Sequence, residues 1–594
     1  MKMLRRGMRP GAEDGFALIM VIGVVVMCGA LITAAIAYAV GSQRAGRHTQ
    51  DWNAALAAAY AGVEEYQSRL ANDTTYFQYG NPAATFGHTT PETRTLPTGA
   101  STNPAFGVGA TGTWANVAGS GGKAAFRYEV DNSKYSTDGT LRLRSTGRVG
   151  SQTRTLVADL KQQGFIDFLY FTDYEIQDPQ LTGDPATCVK YAWAGRTQAM
   201  GCAEIAFGSS DVINGPAHSN DTIRICDSRW KGTVTTGYNP ASGLRYTPKD
   251  SNGSSCSGQV FDLPGYPASA PVIAMPPTNT QLKKEVRSDL PGDVPRPGCL
   301  YTGPTTIVFN ADGSMTVRSP WTKKTNVVGD PASGGSTPTM CGTPGTGSGQ
   351  LGSTGGQTIT VPQNNVVYVQ NVPSTASDPN YWATSAVPSG LSVTTSGTMG
   401  GNGLGFPMTG ETTPQYSTSS MPAYGYRNGD VFVKGTLKGA VTVAAENYVY
   451  VTGDITYATT QVSASVPNIL GLIGNNAVFV WNPMKLTGTS TYTKLLSDND
   501  REIDGAILSV AHVFTVQNFG RGGTRGDLTV KGAIAQKFRG IVRSGSNGYT
   551  KDYNYDERFR YTAPPKFLSP VTTTYGVNVW VEVKPVFNAD GTYR

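Results

Sequence analysis

FALIMVIGVVVMCGALITAAIAYAV, residues Phe16–Val40, carries no charged side chain. As a helix its 25 residues span ~37 Å, more than the ~30 Å hydrocarbon core of a bilayer. Twelve are Leu, Ile, Val or Phe, worth about −4 to −7 kcal/mol on an insertion scale. Lys2, Arg5, Arg6 and Arg9 precede the span, which predicts a cytoplasmic N-terminus and a translocated remainder. A cleaved secretory signal competes, but the apolar run is long for one and no clear A-x-A site follows. A plain single-pass anchor with a helical stalk also remains open. Beyond the span, Trp52, Ala55, Leu56, Ala59, Tyr60, Val63 and Leu70 fall on one face of a 3.6-residue helix. The pattern predicts one helix from about Phe16 to about Leu70, apolar in its first half and amphipathic in its second, with Asn72-Asp73 as its stop.

Composition narrows the rest. Of 594 residues, 72 are Gly and 36 Pro, and only 15% are charged. Coiled coils and helical solenoids need far more Glu, Lys, Leu and Arg. Collagen needs glycine at every third position, which is not seen. With 39% apolar and 10% aromatic residues, wholesale disorder is excluded. The net charge of +6 is too small over this length to argue for nucleic acid. Four of the basic residues sit in the first ten positions.

The N-terminal pattern resembles a known family. A short basic leader, then Gly15-Phe16 opening an apolar helix with an amphipathic continuation, looks like a type IV prepilin. Ala58–Leu70 (AAYAGVEEYQSRL) is similar to the helix of PilX-type accessory, or minor, pilins. The likeness covers about the first 70 residues. It implies cleavage after Gly15 by a prepilin peptidase, methylation of the new N-terminal Phe16, insertion in the cytoplasmic (inner) membrane, and packing against other pilin subunits before export to the cell surface. Major pilins carry Glu at the fifth mature position, thought to pair with a neighbour's terminal amine. Here that position is Met20. A carboxylate in lipid is retained only where it has a partner, so Met20 suits a tip-located or priming subunit.

The remainder reads as β structure, giving an α+β chain. Phe126–Val130, Thr140–Gly150 and Thr153–Gln162 are strands, with Asp138-Gly139 a hairpin signal between the first two. They resemble the antiparallel sheet of a pilin head. Further on, short alternating runs recur: Gly429–Leu437, Gly439–Tyr448, Val449–Tyr457, Leu472–Pro483, Asp504–Gly520 and Asp527–Phe538. They suggest a parallel β-helix, with a β-sandwich as the competing architecture. Val431, Val433, Val441, Val443, Val449 and Val451 are expected to point inward, and Asn475-Asn476 to sit at a corner where stacked amides pair. Cys202–Cys226 has the same texture. Gly334–Gly356 looks like a mobile Gly/Ser-rich insert. FNADG occurs at Phe309–Gly313 and Phe587–Gly591, marking two hairpin turns. The expected segments are a leader (1–15), the helix (16–72), a pilin-like β head (73–164), a Cys-containing β region (165–430) and a C-terminal solenoid-like region (431–594).

Cys28 lies in the apolar span. Cys188, Cys202, Cys226, Cys256, Cys299 and Cys341 lie beyond it and allow 15 connectivities. Pairing of neighbours, Cys188–Cys202, Cys226–Cys256 and Cys299–Cys341, is favoured over free thiols. The absence of C-x-x-C argues against zinc.

Chemistry-bearing motifs are sparse. There is no G-x-S-x-G, Walker A or H-E-x-x-H sequence. His218, beside Asn220 and Asp221, suits a cation or a loop hydrogen bond. Asp498, Asp500, Glu502 and Asp504 alternate as in a Ca²⁺ loop, but Ile503 stands where an EF-hand needs Gly. Arg525-Gly526-Asp527 matches an adhesion tripeptide, or a turn. Tyr549, Tyr553, Tyr555, Phe559 and Tyr561 interleave with Lys551, Arg558 and Arg560, as in single-strand binders or a β edge. No catalytic residue, cofactor or metal is assigned, and the chain is not expected to be an enzyme. The expected role is assembly of a pilus, with the β region presented for adhesion, DNA capture or surface contact. The alternatives are an envelope-tethered β-helix enzyme acting on polysaccharide, and a membrane-anchored scaffold with no filament role.

Overall fold

The computed structural model describes residues 14–73, 76–87, 94–99, 102–107, 113–133, 135, 140–162, 164–395, 397–419, 421–459, 468–560, 562–570 and 575–594. The basic leader, the Asp138-Gly139 turn and Tyr561 lie outside these residues. The chain forms two compact units: residues 1–162 with 575–594, and residues 163–574.

The first unit is built on one helix, α1 (Asp14–Asn72). Strands β1 (Ala115–Asn116), β2 (Ala124–Asp131), β3 (Thr140–Val149) and β4 (Gln152–Gln162) form an antiparallel meander. A fifth strand, Tyr575–Val583, completes the sheet by pairing antiparallel with β4. The sequence reading grouped residues 431–594, whereas the structure returns Tyr575–Arg594 to the first unit. The reason is an edge: β4 alone would leave a row of unpaired backbone groups.

The second unit is therefore an insertion between β4 and its partner strand, and Gln162 faces Tyr575 in the register. Its two ends meet within the unit. The turn Phe165–Asp167 packs beside the turn Glu557–Arg560, with Tyr555 Oη donating to the Ile166 carbonyl at 2.9 Å.

Strands of the second unit stack in parallel. One ladder runs through Cys299, Val367, Val443, Leu472, Ile507, Ile534, Tyr170, Ala217 and Val234, each paired with the next. A second runs through Val431, Val449, Val478 and Phe514. A third runs through Ile455, Ile503, Val530, Tyr553, Ile213, Trp230 and Phe261. This pairing departs from the antiparallel sheets of a β-sandwich. Stack order is not chain order. Tyr170–Tyr174, the first strand of the unit, follows Thr524–Phe538. The chain thus enters mid-stack, builds to one end, crosses to the other, and returns beside its entry.

Val431, Val433, Val441, Val443, Val449 and Val451 are all fully buried in one core, each worth about 1.5–3 kcal/mol. Polar corners stack as well: Asn476 donates to Asn447, whose Nδ2 donates to Asp430 Oδ1. Gly334–Gly356 is not a free insert, because Leu351 is fully buried and accepts from the Ser319 amide at 2.7 Å. Both FNADG copies form the same turn. Asp312 Oδ1 accepts from Ser314 N and Oγ at 2.9 and 2.7 Å, and Asp590 Oδ1 accepts from Thr592 N and Oγ1 at the same distances.

Candidate functional site: the helix and its platform

The helix has two halves with opposite surroundings. From Leu18 to Val40 its large apolar side chains are exposed, Met20 by 62% and Ile19 by 69%. Among the described residues one helix is long and apolar enough to cross a membrane, with mean hydropathy 2.7 and nothing covering it. Exposure of that much apolar surface needs lipid or partner helices. Gly15 and Phe16 lie in its first turn. Cys28 is an exposed free thiol in the same half.

From Ala55 onward the helix lies on the sheet. Ala55, Ala58, Ala59, Gly62, Val63, Tyr66 and Leu70 form its buried stripe. This corrects the predicted face, because Trp52 and Tyr60 sit at its exposed flank. There Trp52 covers the Arg154 guanidinium at 5.0 Å and Tyr60 contacts Trp580 at 4.8 Å. The missed members are small, and smallness sets the packing distance. A Cβ on Gly62 would lie 2.4 Å from Ser145 Oγ, and one on Gly147 would lie 2.1 Å from the Ala55 carbonyl oxygen. Ser145 Oγ donates to the Ala59 carbonyl at 2.8 Å across this contact.

A polar network pins the end of the stripe. Tyr128 Oη donates to Glu65 at 2.9 Å, Arg69 pairs with Glu65, and Asn103 donates to Tyr76 Oη at 3.1 Å. Burial, reinforced by the Glu65 charge, holds the Tyr128 hydroxyl well above its usual range. The C-terminal segment braces the sheet on both faces. Arg154 makes two 2.6 Å hydrogen bonds to Glu582, and Arg127 donates to the Gly591 carbonyl at 2.7 Å over the Phe587 ring.

In the second unit, the three disulfides are Cys188–Cys202, Cys226–Cys256 and Cys299–Cys341. The other singled-out residues do not converge. His218 is buried between Thr235 Oγ1 (2.8 Å) and Asn220 Oδ1 (3.1 Å), and burial pushes it down to about 4. Asp500 accepts from the Asp527 amide, Glu502 pairs with Lys531, and Asp504 accepts from the Tyr457 amide, so the acidic series forms no shared cation cage. Arg525 is 3% exposed and spends its guanidinium on Asn482 Oδ1 and the Asp498 carbonyl. The tripeptide it begins is therefore not presented. Tyr549, Tyr553 and Phe559 point into the core, Lys551 pairs with Asp211 at 2.8 Å, and Arg558 pairs with Asp556. Tyr549, Lys551 and Tyr553, at every second position of one strand, thus share its inward face, whereas Arg560 is exposed and pairs with Glu557.

No protein-family model matches the sequence. No curated protein matches it. Among solved structures, the crystal structure of the competence-associated pilin ComZ from Thermus thermophilus aligns over 90% of this chain and 97% of that chain, at 11% identity and a TM-score of 0.23. At that score the alignment carries no argument for fold or function.

Proposed function

We propose that this chain is a minor, PilX-like type IV pilin whose inserted β unit is displayed at or near the filament tip for adhesion or surface contact. The observation that carries it is the continuous helix Asp14–Asn72, bare and apolar over Leu18–Val40 and packed on an antiparallel sheet from Ala55 to Leu70. The bare half would anchor the chain in the membrane, N-terminus cytoplasmic, and later pack among other pilin subunits in a filament core. The stacked unit, which we read as a parallel β-helix, is inserted in the chain between β4 and the strand that pairs with it. Met20, without a carboxylate, suits a subunit with no neighbour's amine to neutralise. N-terminal sequencing of membrane-purified protein tests the assignment. An N-methyl-Phe16 start is expected, and a Met1 start or a cut beyond Val40 overturns it. Met20→Glu should change this protein's incorporation or pilus number, and no change would count against the tip placement.

We read the second unit as non-catalytic. Its small polar cavity of ≈190 Å³ contains Glu175 and Glu204. Each is engaged by arginine, Glu175 by Arg539 at 3.2 Å and Glu204 by Arg196 and Arg224, which leaves neither free to act as nucleophile or proton donor.

A further inference from the structure

The loop closed by Cys188–Cys202 carries an exposed tryptophan, Trp193. Four rings stack toward the surface: Phe538 on Tyr174 (5.4 Å), Tyr174 on Tyr191 (4.9 Å) and Tyr191 on Trp193 (4.9 Å), with interplanar angles of 25°, 21° and 22°. Trp193 ends the row and is 42% exposed. Its Nε1 donates to the Asn220 carbonyl at 2.9 Å, which fixes the ring plane. Tyr191 Oη donates to Asp173 at 2.7 Å, and Asp221 accepts from the Ala192 amide at 2.7 Å and from Arg196 Nη1 at 2.5 Å. One face of the indole is covered by Tyr191, so its exposure is a flat, pre-set apolar platform. A platform ordered in advance loses little entropy on binding.

The same loop forms one wall of the ≈190 Å³ cavity, through Ala192, Arg196 and Gln198. Glu175, Glu204, Arg196 and Arg224 contribute two negative and two positive charges to its lining, which sum to zero. Thr222 also lines it, and its buried Oγ1 has no hydrogen-bond partner, whereas Arg196 Nε is paired with Glu204 at 3.5 Å. A buried polar atom of this kind awaits a donor or acceptor. A polyanion would need net positive charge, which this lining does not offer. A neutral polyol fits it: its hydroxyls both donate and accept, matching paired carboxylates and guanidiniums. The C–H face of a pyranose ring is apolar and slightly positive, complementary to the negative face of an indole. Few, fixed polar groups beside an aromatic surface are the usual make-up of a small-ligand site.

We infer that the Cys188–Cys202 loop, with Trp193 as platform and Thr222 as hydroxyl partner, binds a neutral glycan. This deepens the adhesion part of the proposed function, and its test needs no filament, so its failure would leave the pilin assignment standing. Detergent-purified full-length protein is titrated calorimetrically with chitotetraose, cellotetraose and maltotetraose. Saturable binding of at least one is expected, uncleaved at the end of the titration. Trp193→Ala should weaken it about ten-fold or more, Trp193→Phe should retain most of it, and Thr222→Val should weaken it with an unchanged melting temperature. If Trp193→Ala lowers the melting temperature, the phenylalanine and valine variants decide. Absence of binding to all three sugars, binding indifferent to Trp193 and Thr222, or binding only of an oligothymidylate in a salt-dependent manner would each overturn the inference.

Discussion

Gly147 of β3 lies in backbone contact with Ala55 of the helix: a Cβ there would stand 2.1 Å from the Ala55 carbonyl oxygen and 2.3 Å from the Ala59 amide nitrogen. Both obstacles are main chain of a helix and cannot rotate away. Gly147→Ala should therefore destabilise the first unit by about 2 kcal/mol or more. Gly46→Ala, whose new methyl meets nothing within 4 Å, should cost nothing. Thermal melts of the two variants make the comparison. Equal melting temperatures would show that helix and sheet separate easily.

A chain ending at Thr574 would lose the strand Tyr575–Val583, both Arg154–Glu582 hydrogen bonds and the Phe587 ring beneath Arg127. It should keep the second unit, whose ladders do not use those residues. Hydrogen exchange should speed up across β2, β3 and β4 while Val431–Leu437 and Ile469–Gly474 stay protected. Loss of protection in both units together would contradict this division.

The disulfides close loops of different length, 42 residues for Cys299–Cys341 and 14 for Cys188–Cys202. Chain entropy assigns them about 4 and about 3 kcal/mol. Paired Cys→Ala variants of the longer loop should melt lower than those of the shorter. The reverse order would mean that local packing outweighs loop closure.

Burial raises Asp430 to about 7, against the hydrogen bonds from Asn447 and the Tyr448 amide that favour its charged form. Its Oδ2 has no partner, and Tyr448 and Tyr450 lie close by. A carboxyl raised above its unfolded value near 3.8 binds its proton more tightly in the native state. It therefore withdraws stability as pH rises from about 4 to about 7. Asp430→Asn keeps the accepting oxygen and removes the charge. It should stabilise the second unit by about 1–3 kcal/mol at pH 8 and little at pH 5. A gain independent of pH would place the titration elsewhere.

The legible parts of the fold were those settled by neighbours in the chain. The inward valines of Val431–Leu437 and Val449–Tyr457 alternate at the strand period, and both FNADG turns carry an Asp that captures the amide two residues on. The buried stripe of the helix was legible in Ala55, Ala59, Val63 and Leu70 but blurred by Trp52 and Tyr60. Their size drew the expected face toward them, whereas backbone proximity selected Ala58 and Gly62. Trp193 escaped notice altogether. An isolated tryptophan in a turn is silent until Tyr191, Tyr174 and Phe538 are stacked beneath it.

By itself the sequence determined one long helix with an uncharged half, a set of short strands and the polar turns between them, since charge, period and turn chemistry act over a few residues. Only the tertiary structure decided that the second unit is an insertion, that its stack runs out of chain order, and that Arg525 and Tyr549 face inward. The insertion and the stack order rest on backbone pairings such as Gln162 with Tyr575 and Ile534 with Tyr170, far apart in the chain. Backbone hydrogen bonds accept any side chain, so such pairings leave no mark on local sequence.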